Sequence, residues 1–377
     1  MNRKKNILIC PLEWGLGHAT RMIPVAADLQ KLNHNVIFAS GEEHLSLIRK
    51  ELTGCSFVNF PGFNPKYSRH LPQYISILLK MPLLIYHIIL EHSKLKKIIR
   101  DHSIDVVISD NRFGLWNKSI RSVYVTHMPL IPFPQNMRFL EPAGIFLHSL
   151  IIRKYDLCFI PDLPGEGNIS GRLSHGIRLH ENIRYIGILS RFSAISVSAN
   201  PVIESRYNVI ILSGPEPQKE MLKQKLIRIF IEKEPVTIIL EGKPGQKEET
   251  RRTGNVITYN HMPSGMMKSV IMGSEGIISR SGYTTIMDLV ALNRSALLVP
   301  TPGQTEQEYL AAYLSEKELF TFISQDYIKE TLSFPVKKPC DYSALIEKSK
   351  CLLAQALEEL LDEPHQESLY GKSQKKA

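Results

Sequence analysis

Short runs of β-branched and aliphatic residues recur along this chain, each followed by a longer stretch whose apolar positions fall three and four apart. Compact apolar runs bounded by turn residues read as buried strands, and the amphipathic stretches between them as helices laid on a sheet. In the first half this pattern predicts strands at Ile7–Cys10, Val36–Ala39, Phe57–Phe60, Val106–Ser109, Val123–Thr126, Leu157–Ile160 and Ile183–Ile186, with helices at His18–Leu32 and Ser93–Asp101. From Ile188 to Tyr207 the rhythm lapses into a Ser-rich stretch with Pro201, which reads as a linker (188–207). A second series follows at Val209–Leu212, Val236–Leu240, Val256–Thr258, Gly276–Ile278 and Ala296–Val299. Tyr342 to Leu361 is amphipathic and precedes a basic tail, Gly371–Ala377.

Strand and helix in alternation imply parallel α/β units. The expectation is two doubly wound, Rossmann-like domains, 1–187 and 208–341, followed by a C-terminal helix and tail, 342–377. Such sheets hold ligands beyond the carboxyl ends of their strands, here in the cleft between two domains.

Composition narrows the partners. At 377 residues the chain exceeds one hydrophobic core. Its 43% hydrophobic and 22% charged residues exclude disorder. A net charge of +9 favours anionic neighbours. The Lys and Arg are spread along the chain without a nucleic-acid-binding signature, so no nucleic acid is expected. Five cysteines (Cys10, Cys55, Cys158, Cys340, Cys351), odd in number and without a C-x-x-C, read as reduced thiols. The apolar run Ile7–Leu12 is too short for a signal peptide, and no run reaches the ~18 residues of a membrane span. A cytoplasmic protein is expected.

Two short stretches carry the chemistry. Gly15-Leu16-Gly17-His18 lies between a strand and a helix, and Ser279-Arg280-Ser281-Gly282 leads from another strand into a helix with Thr284, Thr285 and Asp288. Free N–H groups and the dipole make a helix N-terminus an anion seat. Gly17 permits close approach of backbone to a ligand. The dinucleotide fingerprint is incomplete, since its third glycine is Thr20. His18 reads as a general base, or as a residue that merely caps the helix. Asp110, just past Val106–Ser109, is placed either to hold one tautomer of that imidazole or to cap the next turn.

In the second half, Arg280 offers charge-assisted bonds, Ser281 and Gly282 an anion seat, and Thr284 and Thr285 hydroxyls one turn in. Asp288, on the same helix face as Thr284, can accept two ribose hydroxyls; an ordinary surface acid is the alternative. Ser213-Gly214 after a strand can meet a phosphate or form a plain turn. Gln304, Glu306 and Gln307 bring together the amides and acids that bind sugar hydroxyls.

These stretches together resemble the GT-B nucleotide-sugar glycosyltransferases. The nearest resemblance is to the family 28 type, which includes the N-acetylglucosaminyltransferase of lipid II synthesis, and a more distant one is to the UDP-glycosyltransferases. The resemblance implies an N-terminal acceptor domain and a C-terminal domain for a nucleotide sugar, with a UDP-sugar as donor and inversion at C1. It gives Asp288 to the ribose, Ser281, Gly282 and Thr285 to the diphosphate, Glu306 and Gln307 to the donor sugar, His18 to the base and Asp110 to its partner. The lipid II enzymes usually carry a glutamate at the position of Asp288, and their two phosphate-type loops are richer in glycine. The donor class therefore carries over and the acceptor does not. With no Asp-x-Asp pair in the chain, neither an essential metal nor another cofactor is expected.

Two other function classes stay open. A UDP-sugar epimerase of GT-B fold shares the nucleotide site but needs further acids at the sugar, and a non-catalytic nucleotide-sugar-binding protein needs no His18. Finally, Leu71–Leu90 is unusually apolar and precedes Lys94, Lys96, Lys97 and Arg100. It reads either as a contact with an anionic membrane that recruits a lipid-linked acceptor, or as a helix buried against the sheet.

Overall fold

The chain forms two seven-stranded sheets, seen in a computed structural model that describes residues 3–64, 80–177, 180–197, 206–214, 216–243, 248–335 and 341–362. The first sheet has the order β3-β2-β1-β4-β5-β6-β7 and is parallel throughout. Its strands are β1 (Asn6–Pro11), β2 (Asn35–Ser40), β3 (Ser56–Asn59), β4 (Val106–Asp110), β5 (Arg121–Val125), β6 (Leu157–Ile160) and β7 (Ile183–Tyr185). Between them run α1 (Leu16–Lys31), α2 (Glu42–Glu51), α3 (Met81–Asp101) and α4 (Glu141–Ile152).

The second sheet has the order β10-β11-β9-β8-β12-β13-β14. Its strands are β8 (Tyr207–Ile211), β9 (Val236–Leu240), β10 (Thr250–Thr253), β11 (Val256–Tyr259), β12 (Ile277–Ser279), β13 (Leu297–Leu298) and β14 (Thr321–Phe322). The helices are α5 (Arg191–Ala194), α6 (Gln218–Phe230), α7 (Ser264–Gly273), α8 (Tyr283–Ala291), α9 (Thr305–Glu316) and α10 (Ser343–Leu361). The expected doubly wound pair is present. Strands β1, β4 and β8 are almost wholly buried, which is why they read as continuous apolar runs and not as alternating ones. The pattern gave no sign of β10 and β14: every residue of both is exposed, and β10 pairs antiparallel at the sheet edge.

The linker expectation needs correction. Pro201 and residues 198–205 lie outside the described residues, but Ile188–Ile195 is part of the core. Ser190 caps α5 by accepting the N–H of Phe192 at 3.2 Å, and Lys268 on α7 donates to the carbonyls of Phe192 (2.6 Å) and Ile195 (2.9 Å). Buried Phe192 anchors this short helix. The C-terminal helix is likewise no appendage. It packs back on the first domain, where Arg184 of β7 grips Glu359 at 2.7 and 2.8 Å and Ser349 Oγ accepts the N–H of Ile188 at 2.9 Å. The tail 363–377, with Gly371–Ala377, lies outside the described residues, as do Leu71–Ile75 and residues 76–79 of the apolar segment.

The two domains touch directly. Glu51 at the end of α2 accepts both the N–H (3.2 Å) and the hydroxyl (2.6 Å) of Ser264 at the start of α7. Tyr283 donates to the carbonyl of Pro161 (2.8 Å) and Thr305 to that of Pro132 (2.9 Å). A Cβ on Gly17 would stand 2.8 Å from Thr284 Oγ1, so this position needs glycine for the domains to meet as they do. The carboxyl ends of β1 and β4 and the start of α8 therefore share one cleft.

Candidate active site

The register of the first sheet sets Pro11 beside Asp110, so the loop leaving β1 runs past the end of β4. That loop is held at both shoulders. Glu13 accepts the Ser40 hydroxyl (3.0 Å) and the Gly41 N–H, and the Trp14 indole donates to Phe63 O at 2.8 Å. Gly15, at φ 155°, turns the chain into α1 in a conformation that side chains rarely adopt. His18 then sits in the first turn with its Nδ1 3.0 Å from Asp110 Oδ2.

Asp110 is fully buried and carries a second partner. Arg21, one turn after His18, donates from Nε to Asp110 Oδ2 at 2.9 Å and from Nη2 to Oδ1. Burial alone would raise the carboxyl's pKa. The guanidinium of Arg21 and the neighbouring His18 prevail and hold it at about 2. An ionised Asp110 can only accept, so His18 carries its proton on Nδ1 and presents the Nε2 lone pair. Burial, aided by the charge of Arg21 and opposed by Asp110, lowers the His18 pKa. The imidazole is thus neutral at neutral pH, as a general base must be.

The network continues across the cleft. Arg21 Nη1 lies 3.0 Å from His127 Nδ1, and His127 Nε2 lies 3.0 Å from Glu306 Oε1 on α9. The His127 ring stacks on Tyr283, the first residue of α8, with centroids 4.3 Å apart at 9°. Burial alone would raise the Glu306 pKa, but His127 outweighs it and the carboxyl is lowered. Neither Arg21 nor His127 was singled out from sequence. The signals were present: Arg21 is three residues past His18 on the same helix face, and His127 follows β5 as Asp110 ends β4.

On the facing domain, Ser213 after β8, Gly282 and Thr285 gather at the start of α8. A Cβ on Gly282 would lie 3.6 Å from Ser213 Oγ and 3.9 Å from Thr285 Oγ1. The hydroxyls of Ser213, Thr284 and Thr285 are half-buried, and α8 has no side-chain cap on its free N–H groups. Gly214, at φ 96°, is exposed in the same loop, facing Thr301. The residues that the spacing assigns to an anion seat are thus brought together at the uncapped start of α8, across the cleft from His18.

Other expected ligands turn out to be braces. Arg280 is fully buried; its guanidinium donates to the carbonyls of Val299 (3.2 Å), Pro300 (3.0 Å) and Gln218 (2.9 Å). Burial without a counter-charge lowers its pKa to about 10. It braces the loop after β13. The Ser281 hydroxyl is committed to Gln307 O at 2.8 Å, and Gln307 Oε1 accepts the Thr301 N–H at 2.9 Å while its amide donates to Gln304. Residues between a buried strand end and a helix start must satisfy the loop's own backbone first, and these side chains do so. Of the polar set Gln304, Glu306 and Gln307, Glu306 reaches across the cleft. Asp288 is buried, accepting the Ser190 hydroxyl at 2.6 Å with Arg191 Nε 3.6 Å from its other oxygen. Burial raises its pKa, against the pull of Arg191 and Ser190. A carboxylate has about four lone-pair sites, so the bond to Ser190 leaves capacity for more.

Comparison with known proteins extends this picture. Residues 192–363 match the glycosyltransferase family 28 C-terminal domain. An uncharacterized glycosyltransferase of Methanosarcina acetivorans is 22% identical over 324 residues, 80% of this chain and 81% of that protein. The chain is a glycosyltransferase, and its C-terminal part is similar to the family 28 type. Solved structures show the same fold over nearly the whole length. The glycotransferase of kitacinnamycin superposes with a TM-score of 0.63 at 13% identity, covering 96% of this chain and 100% of that one. The calicheamicin glycosyltransferase does so with a TM-score of 0.56 at 13% identity, covering 95% and 92%. This glycosyltransferase therefore has the GT-B fold, and the similarity suggests a nucleotide-sugar donor and an acceptor.

Proposed function

We propose that the enzyme moves a hexose or N-acetylhexosamine from a UDP-sugar to an acceptor hydroxyl, with inversion at C1 and without an essential metal. The observation that supports this most is the His18–Asp110 pair, 3.0 Å apart, facing the uncapped N-terminus of α8. His18 Nε2 takes the acceptor's hydroxyl proton as that oxygen attacks C1. The bond from C1 to the phosphate oxygen breaks, and its electron pair leaves with the diphosphate. The N–H groups opening α8 and the hydroxyls of Ser213 and Thr285 are placed to stabilise that charge as it develops. Asp110 stabilises the imidazolium. The epimerase reading needs further acids free at the sugar, and the two acids of this loop are already engaged, Glu306 with His127 and Glu308 with the Gly303 N–H.

Asp288 tests the nucleotide half separately. Asp288→Ala removes hydrogen bonds to the ribose and is expected to weaken UDP binding by roughly 2–4 kcal/mol in calorimetry. Equal UDP affinity in a folded variant would remove Asp288 from the site.

A place on the inner face of the cell membrane, with a lipid-linked acceptor, is part of the proposal. The exposure of the described part of the apolar segment supports this reading over that of a helix buried against the sheet. Along α3 only Glu91 and Leu95 are buried, and Leu83, Ile85, Tyr86 and Ile89 are 49–64% exposed. Phe139, Phe146 and Leu147 are exposed as well. Exposed Lys94, Lys96, Lys97 and Arg100 continue α3. No described helix is long and apolar enough to cross a membrane. Apolar insertion with basic support predicts sedimentation with anionic vesicles that weakens with salt and with charge reversal of the three lysines. Absence from both neutral and anionic pellets at low salt would rule out this contact.

A further inference from the structure

The five polar groups that cross the cleft form a hydrogen-bond chain with only one possible direction. An arginine donates and never accepts, so the Arg21 Nη1–H must donate to a lone pair on His127 Nδ1, 3.0 Å away. His127 then carries its proton on Nε2 and donates it to Glu306 Oε1 at 3.0 Å. On the other side Arg21 donates twice to Asp110, which leaves Asp110 accepting from His18 Nδ1 at 3.0 Å. The bonds run outward from Arg21, through His127 to Glu306 on one side and directly to Asp110 on the other. Arg21 and Asp110 are nearly inaccessible to solvent, and His127 is 5% exposed, so water does not compete for these bonds.

The two ends belong to different domains. Glu306 opens α9 at the position that the family resemblance gives to the donor sugar, and His18 opens α1 in the other domain. The chain closes only with the domains in contact, as they are at Gly17 and Thr284. We infer that His127 is a positioning residue that ties the orientation of Arg21, Asp110 and through them His18 to the seating of Glu306 against the first domain, so that the base is set when the cleft is closed. This rests on the reading of His18 as the base, and His127 itself touches neither the donor nor the proton that moves.

Glutamine tests it, because its carbonyl oxygen and amide nitrogen are spaced much as the two ring nitrogens are. His127→Gln can accept from Arg21 and donate to Glu306; His127→Leu can do neither. The expected result is a kcat about 10–100-fold lower in His127→Leu, with the KM for donor changed far less, and recovery to within about threefold of wild type in His127→Gln. Turnover is read as UDP release from whichever of UDP-glucose and UDP-N-acetylglucosamine the wild-type enzyme consumes. Nitrogen-15 NMR of the histidine rings reads the chain without any ligand. It should show His127 protonated on Nε2, His18 on Nδ1, and a shifted His18 signal in His127→Leu alone, as the ring's orientation changes while Asp110 still holds its proton on Nδ1. Equal activity in the two variants, a His127 ring protonated on Nδ1, or an unchanged His18 signal in His127→Leu overturns the inference. If His18→Ala is inactive while His127→Leu is not, the base stands and the coupling falls. If both retain turnover, both fall.

Discussion

His18→Ala is expected to lower turnover by ~10²–10⁴ while UDP and UDP-sugar affinity stays near that of the wild type. The histidine sits in the first turn of α1, and its ring nitrogen is held 3.0 Å from Asp110, so its removal takes away a proton acceptor and leaves the anion seat of the other domain intact. A kcat measurement beside a calorimetric titration separates the two effects. The pH profile adds a sign. Burial and the charge of Arg21 lower the His18 pKa below its ordinary 6.5. Protonation disables the base, so kcat should persist below pH 6.5 and be lost only as the pH falls through the depressed value. A midpoint above 6.5, or near-normal turnover in the alanine variant, would make His18 a structural residue.

Asp110→Asn should carry the largest stability loss of any single change in the site. Asp110 is fully buried, Arg21 is 1% exposed, and the pair is bidentate. Removing the carboxylate leaves a guanidinium inside the protein without its counter-charge, which costs about 3–5 kcal/mol. The variant should unfold at a clearly lower temperature, and its residual turnover should fall as well, since an amide can also hold the wrong tautomer of His18. The folded-state pKa of Asp110 is depressed to about 2, so the pair's contribution is complete above the ordinary carboxylate value of 3.8 and disappears as the pH falls through about 2. A thermal midpoint equal to that of the wild type would contradict the account of this pair.

Much of this was legible because two simple rules coincide. Buried parallel strands read as unbroken apolar runs, and ligands gather where those runs end. Val106–Ser109 therefore pointed to Asp110, and the order of a doubly wound sheet brings that strand end beside β1 and His18. The same rule applied to Val123–Thr126 leads to His127. What stayed hidden is the direction in which a side chain turns. Arg280, Ser281 and Gln307 have the composition of an anion and sugar site, yet their polar atoms are drawn to the backbone of their own loop. Sequence spacing fixes which residues lie at a loop, but the competition between ligand and unsatisfied carbonyls is settled by packing. Ser190 and Arg191 were hidden for a related reason: a Ser-rich stretch reads as linker until the buried Phe192 between the domains is seen.

The most direct test of the central claim is the stoichiometry of the reaction. Purified enzyme is incubated with a panel of UDP-sugars labelled in the sugar, with a membrane-lipid extract as acceptor, and both UDP and labelled product are quantified. The account predicts one UDP released for each sugar joined to acceptor, with the anomeric configuration inverted and the whole signal lost in His18→Ala. Labelled sugar recovered as an epimer, either still on UDP or free beside released UDP, would contradict it.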